Sequence, residues 1–439
     1  MNNHRLLTGL LVATLSGYGV CASGHDRKVM TLDELYRIAE THSTQLRPSL
    51  TSEEVAAKET EIARSHRLPE IEANLSLNFL GDGFTVKRNF SDYTRAPIPH
   101  FGNTLGININ QPLYSGGAIT AGIEIAELKS SAIRHVTELN RNNIRFRLTG
   151  YYLNIFKMHN LREVAEGNLQ RARKMLDEMK ARYEQGIALH NDIIRYELLI
   201  SDLELQIVKI DNTLSILNRN LAVTAGMNES TEILPDTSLL AKSLPISSEQ
   251  WWQQEAESVS PTLKLAQSEV AISKKAETLA KSTRLPKIGL QAGWSLDGPI
   301  LVEVPPINRN LSYWYVGIGV SYNLSSLYKN DKSIVRSRIA TRLANEQLDV
   351  AKENLRLEIN SVYTRYMEAY EELKTQKKSV ELANSNYNTI STRYAEGMAL
   401  ITDLLDAANS QLEAEQKLVN AHINIIYYYY KLLFTSGKI

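Results

Sequence analysis

The sequence predicts a mainly α-helical, internally duplicated chain whose long helices carry a small membrane β-sheet. Three observations predict it. One turn sequence occurs twice, the hydrophobic period switches twice from 3.6 to 2, and long proline-free stretches lie between. The turn reads Ala181-Arg-Tyr-Glu-Gln-Gly-Ile-Ala-Leu-His-Asn-Asp-Ile-Ile194, then Thr392-Arg-Tyr-Ala-Glu-Gly-Met-Ala-Leu-Ile-Thr-Asp-Leu-Leu405. Tyr183 pairs with Tyr394, Gly186 with Gly397, Leu189 with Leu400 and Asp192 with Asp403, all 211 positions apart. In each copy a helical pattern reaches Arg-Tyr and stops at glycine, the residue best suited to a left-handed cap. Asn191 or Thr402, each followed by an acid, is expected to cap the next helix. Each copy is thus a tight turn between two long antiparallel helices.

The chain opens with Arg5, an apolar run from Leu6 to Val20, and the small residues Cys21-Ala22. That is the pattern of a secretory signal peptide over 1–22. Cys21, the only cysteine, is either removed with it or kept as a lipid-attachment residue. The first repeat then spans 23–247. A helix is expected over 31–67, with Thr31 and Glu34 at capping-box spacing and an interruption near Pro48. Leu68-Pro69 ends it. A β-hairpin follows over 69–113: Ile71, Ala73, Leu75, Leu77 and Phe79 alternate with polar residues, and Leu105, Ile107 and Ile109 do so after a Gly/Pro loop. A long helix is expected over 118–184, roughly 100 Å at 1.5 Å per residue. A second over 191–226 carries a 3-4 coiled-coil seam from Ile193 to Leu217. Residues 227–247 read as an irregular connector.

The second repeat, 248–439, runs the same programme. It comprises a helix over 260–284, a hairpin over 286–324, a long helix over 328–394, a helix over 402–435 and a short C-terminal tail. Leu285-Pro286 stands where Leu68-Pro69 stood. In this hairpin Ile288, Leu290, Ala292, Trp294 and Leu296, then Trp314, Val316, Ile318 and Val320, alternate with small or polar residues. Tyr313, Trp314 and Trp294 stand where an interfacial aromatic girdle forms.

Composition removes several classes. With 49 basic and 49 acidic residues the chain has no net charge, which argues against a nucleic-acid partner. It lacks a nucleophile elbow, a His-Glu-x-x-His pair and a phosphate loop, so no enzyme is expected. The nine histidines are scattered, His190 at the first turn included, and no metal or cofactor is expected. Beyond the leader, no window has the roughly 18 apolar residues of a membrane helix. The four strands, nine to eleven residues each, instead have the length and alternation of tilted transmembrane strands. Open edges are not tolerated in lipid, so strands that span must be shared between subunits. A signal peptide with no hydrophobic helix places them in an outer membrane. A soluble sandwich with one wet face gives the same alternation; a surface coiled coil accounts for the helices but not the strands.

Gln111-Pro-Leu-Tyr-Ser-Gly-Gly117, the two Leu-Pro-x-Ile entries and the doubled Arg-Tyr-x-x-Gly turn resemble the TolC family of outer-membrane efflux proteins. The resemblance covers about residues 30–437. It implies a homotrimer with a shared 12-stranded barrel in outer-membrane lipid and a helical tunnel in the periplasm. A mixed equatorial region half-way would comprise about 227–250 and the C-terminal residues. It implies the exit duct of a tripartite efflux system, with a periplasmic adaptor and an inner-membrane transporter as partners. The exit duct of a type I protein secretion system is the alternative. By the same resemblance Asp403 and Asp406 form the pore constriction. Asn191, Asp192, Tyr394, Gly186 and Gly397 belong to the gating latch and the turns. Arg182, Tyr183, Arg393 and Tyr394 belong to an adaptor-docking tip. One departure stands out: the family's latch arginine, two residues after the turn glycine, is replaced by Ala399.

Overall fold

The computed structural model describes residues 27–236, 244–303 and 305–439. The signal-peptide region with Cys21, and residues 237–243 of the connector, lie outside them. Two helices dominate: α3 (Ala118–Glu184) and α8 (Asp331–Ala395). At 67 and 65 residues each is about 100 Å long. Their returning partners are α4 (His190–Ala225) and α9 (Ile401–Ser436). The remaining helices are α1 (Leu32–His42), α2 (Arg47–Ser65), α5 (Glu249–Val259), α6 (Pro261–Ser282) and the single turn α7 (Ser326–Lys329). Among the described residues no helix is long and apolar enough to cross a membrane.

The 31–67 stretch is two helices rather than one. Thr31 caps α1 through the expected box, in which Glu34 N donates to Thr31 Oγ1 and Thr31 N to Glu34 Oε2. The break falls at Ser43, whose backbone is extended. Pro48 then starts α2, where a missing N–H costs nothing. In the second repeat the helix expected over 260–284 is α6, opened by Pro261, and a further helix, α5, capped by Ser248, precedes it. The long helix expected from residue 328 begins at Asp331, after α7.

Near the sheet, α3 packs against α2 and α6, tied by Arg64–Glu127 and Lys275–Glu124 ion pairs. Farther down it pairs with α4 through Arg173–Glu204 and Lys180–Glu197. α8 does the same with α6 and then α9. These surface pairs contribute about 0–1 kcal/mol each. Cohesion comes instead from three apolar clusters, at about 1.5–3 kcal/mol per fully buried large side chain. One gathers Leu35, Leu148, Tyr152, Leu221 and Ile233 at the equator of the first repeat. Its counterpart gathers Trp252, Leu263, Ile359, Tyr366 and Leu432. α9 joins the two. Tyr427 and Tyr430 face the first cluster, Tyr428 and Tyr429 the second. The third, with Leu176, Met179, Tyr196, Tyr387 and Leu404, fills the four-helix bundle above the turns.

The 227–247 connector is not wholly irregular. β6 (Glu232–Pro235) pairs in parallel with β1 (Arg27–Met30), fixed by an Arg27–Glu232 ion pair. Neither four-residue strand is long enough to show a period.

The membrane-type sheet has the order β2-β5-β7-β8, all antiparallel. Its strands are β2 (Glu70–Phe79), β5 (Phe101–Tyr114), β7 (Lys287–Gly298) and β8 (Leu311–Ser321). A small hairpin of β3 (Gly83–Thr85) and β4 (Thr94–Ala96) sits in the first loop.

Candidate functional site

Two regions carry the candidate function: the sheet at one end of the long helices and the paired turns at the other. The sheet's register lines up the alternation across all four strands. Leu75 lies opposite Leu105, Leu105 opposite Leu296, Ile107 opposite Trp294, and Trp294 opposite Trp314. That face is apolar and exposed at Ile71, Leu75, Leu77, Trp314, Val316 and Ile318. The other face holds Asn74, Asn108, Asn110, Gln291 and Tyr315 over glycines. A Cβ on Gly293 would stand 2.6 Å from the Tyr315 ring, and one on Gly106 2.7 Å from Asn74 Oδ1. The glycines therefore let larger polar side chains lie flat across the sheet. β2 and β8 each leave one backbone edge unpaired within the chain.

At the turns, both helices end in the same capping motif. Gly186 N donates to Tyr183 O and Ile187 N to Arg182 O, both at 2.9 Å. Gly397 N donates to Tyr394 O at 3.0 Å and Met398 N to Arg393 O at 2.8 Å. The glycines have φ of 74° and 75°, the left-handed region that spares glycine a Cβ clash. The next helices begin two residues earlier than caps at Asn191 and Thr402 would place them. Leu189 and Leu400 are the N-caps, in place of Asn191 and Thr402, which lie inside α4 and α9. In the second turn, where the cap is apolar, the acid three residues on takes over the capping function. Asp403 Oδ2 accepts from Leu400 N at 3.1 Å.

Asp192 is used differently. Its Oδ2 accepts from the Tyr394 hydroxyl at 3.1 Å, joining the first turn to the second. Arg182 Nη1 donates to Tyr394 O at 3.2 Å, a second bond between the same turns. Tyr394 is 8 % exposed, whereas its equivalent Tyr183 is 47 % exposed and rests against His190. Burial, and then the Asp192 carboxylate, push the Tyr394 phenol up to about 12, so it stays a donor. Asn191 is exposed and its side chain joins none of these bonds. Arg393, Asp403 and Asp406 are exposed, the two acids three residues apart on α9.

Higher in the bundle lies a polar belt that sequence patterning missed. Asn168 and Arg171 of α3 both donate to Glu415 of α9, and Gln411 of α9 donates to Asn384 of α8. Buried Asn168 and Gln411 interrupt otherwise apolar helix faces, and that interruption was the available signal. Among the described residues no group of three or more His, Cys, Asp or Glu is placed to hold a metal.

Residues 252–426 match the family model described as outer membrane efflux protein. The chain is 20 % identical over 396 residues to the outer membrane protein TolC of Vibrio cholerae serotype O1, covering 90 % of this chain and 88 % of that one. It carries an outer-membrane efflux protein domain and is homologous to TolC and BepC. The BepC in question, an outer membrane efflux protein of Brucella suis biovar 1, is 22 % identical over 344 residues, with 76 % and 72 % coverage. The fold is that of the outer-membrane channel OprN: TM-score 0.77, 16 % identity, 93 % of this chain and 90 % of that one. The chain's sequence relatives are named as outer-membrane proteins, which supports an outer-membrane location, and its fold is that of outer-membrane channels. The matched domain runs from α5 into α9 and so includes the second hairpin, the second turn and both candidate pore acids.

Proposed function

We propose that three copies of this chain form the outer-membrane exit duct of a tripartite efflux system. The duct passively conducts what an inner-membrane transporter and a periplasmic adaptor deliver. The observation that carries this reading is the sheet. Its apolar face is exposed and continuous, and β2 and β8 leave open edges that lipid does not tolerate. Pairing β2 of one copy with β8 of the next satisfies both edges, and three copies close a barrel. The polar, glycine-rich face then lines the lumen.

The turns act as the gate at the far end. The α8–α9 pair carries Tyr394, Asp403 and Asp406, and the α3–α4 pair carries Arg182 and Asp192. Opening requires the two pairs to part, which breaks the Tyr394–Asp192 and Arg182–Tyr394 bonds together. Arg182 supplies a cation at this latch from the opposite turn, where Ala399 offers none. Asp403 and Asp406, repeated three times, form the ring of acids at the mouth. Exposed Tyr183 and Arg393 belong to the surface the adaptor meets. The deciding experiment is native mass measurement of the mature protein in detergent. A trimer retaining its β-content is expected; a stable monomer with full β-content overturns the shared barrel.

A further inference from the structure

Four of the chain's seven phenylalanines, Phe79, Phe84, Phe90 and Phe101, fall within 23 consecutive residues around the β3–β4 hairpin, and all four are exposed. Tyr93 and Val86 join them, and Phe84 stacks on Tyr93 at 4.5 Å. The hairpin is held firmly. Asp82 binds Arg95 and accepts from Ile98 N at its base, while Phe79 stacks on His100. At its tip Lys87 pairs with Asp92 at 2.8 Å, and Lys87 N donates to Ser91 O. Phe90 and Asp92 both adopt positive φ, 62° and 61°, an uncommon conformation for residues with a Cβ. The result is a Phe90 side chain 89 % exposed at the apex of a braced turn.

We propose that this hairpin is a membrane-surface anchor that seats Phe90 in the outer leaflet and Arg88 against its lipid phosphates. The proposal rests on the reading of the sheet as membrane-spanning. β2 has ten residues, about 33 Å in extended form and about 23 Å when tilted near 45°, close to the roughly 25 Å apolar band of such barrels. Phe79 and Phe101, opposite each other in register, therefore mark the leaflet boundary away from the helices. The hairpin begins four residues beyond Phe79. Its aromatics continue the apolar face of the sheet at the level where amphipathic and aromatic side chains concentrate. Charge points the same way. Asp82 and Asp92 are each neutralised by a base, and among the described residues of the hairpin Arg88 has no carboxylate partner. The second hairpin's loop, 299–310, contains no aromatic residue, so this surface is specific to the first repeat.

The mature sequence after residue 22 has no cysteine, so single spin labels report cleanly. Phe90→Cys, Leu75→Cys on the sheet's apolar face and Ser230→Cys near the equator are labelled. They are reconstituted in vesicles of phosphatidylcholine with or without lipopolysaccharide. Accessibility to oxygen relative to an aqueous nickel chelate is measured. Phe90 is expected to resemble Leu75 rather than Ser230. Adding lipopolysaccharide should shift it further, and Arg88→Gln should abolish that increment. A lipid-like Leu75 with a water-like Phe90 overturns the anchor alone. A Phe90 shielded from both reagents also overturns it, since a second copy or the lumen would then cover the tip. Water-like values at both Phe90 and Leu75 overturn the spanning sheet itself.

Discussion

Asp192 and Asp403 occupy the same place in the two repeats, three residues past a leucine N-cap, yet they hold different partners. Asp403 turns back to its own Leu400 N–H, while Asp192 reaches Tyr394 of the other turn. One acid finishes a helix and the other joins two helix pairs. Asp192→Asn or Tyr394→Phe should leave the fold intact and raise the open fraction in single-channel recordings. A neutral acceptor weakens the bond and the missing hydroxyl removes it, a change of about 1–3 kcal/mol in the closed state. Unchanged gating in both variants would take this bond out of the latch.

The same phenol sets a pH dependence. Its folded value, about 12, lies above the ordinary 10, so the folded protein holds this proton more tightly than the unfolded chain. The contribution is complete below pH 10 and is lost as pH rises through about 12. Wild type should therefore lose closed-state stability as pH rises from 10 to 12, whereas Tyr394→Phe, less closed at neutral pH, should lack that pH-dependent step. Titrating conductance or helix content between pH 9 and 12 checks the sign.

The turn glycines differ from the other helix-ending glycines in a way that can be measured. A Cβ at Gly186 or Gly397 meets nothing within 4 Å, so alanine there costs only the left-handed backbone, about 1–2 kcal/mol. At Gly226, φ 76°, the Cβ would stand 2.4 Å from His42 O, a backbone atom of the equator. Gly226→Ala should be the more destabilising by about 1–3 kcal/mol in denaturant unfolding. Trimers of Gly186→Ala and Gly397→Ala should survive while adaptor cross-linking at the turns falls. Normal cross-linking in both would argue against docking there.

The two faces of the sheet should respond differently to charge. Leu75→Arg or Ile318→Arg places a cation on the proposed lipid face at about 2–4 kcal/mol near the midplane, and insertion should fail. Asn108→Arg, on the opposite face, should insert and shift ion selectivity. Heat-modifiable mobility of the folded trimer reports insertion, and equal behaviour of the two classes would reverse or remove the assignment.

The parts legible in the sequence were those with a long period. The doubled turn, the uninterrupted long helices and the alternating strands each repeat a pattern often enough to declare itself. Short elements did not. β1 and β6 are held by pairing with each other across about 200 residues, and no local pattern announces them. The helix caps were misplaced because Asn191 and Thr402 look like caps, whereas the chain uses leucines and, at the second turn, recruits Asp403. The local pattern did not give the partner of each acid, although the family resemblance groups Asp192 with Tyr394 in the latch. Asp192 and Asp403 are locally equivalent, and only tertiary placement gives Tyr394 to one and leaves Tyr183 out by His190.

The last prediction concerns the mouth. Asp403 and Asp406 lie exposed, three residues apart at the start of α9, so one helix face carries both. Three copies around the axis would bring six carboxylates to one opening, attracting cations and repelling anions, with salt weakening the effect. Asp403 also caps Leu400 N–H, and asparagine retains an acceptor for that bond, so Asp403→Asn removes charge while sparing the helix end. Asp406 forms no cap, and Asp406→Asn isolates the charge alone. The double variant should lose cation preference and block by multivalent cations added from the periplasmic side, with circular dichroism unchanged. Each single variant should lose part of it. If Asp403→Asn alone reproduces the whole loss and Asp406→Asn none, the constriction is set by one ring of three. If selectivity survives in the double variant, neither acid lies at the pore mouth.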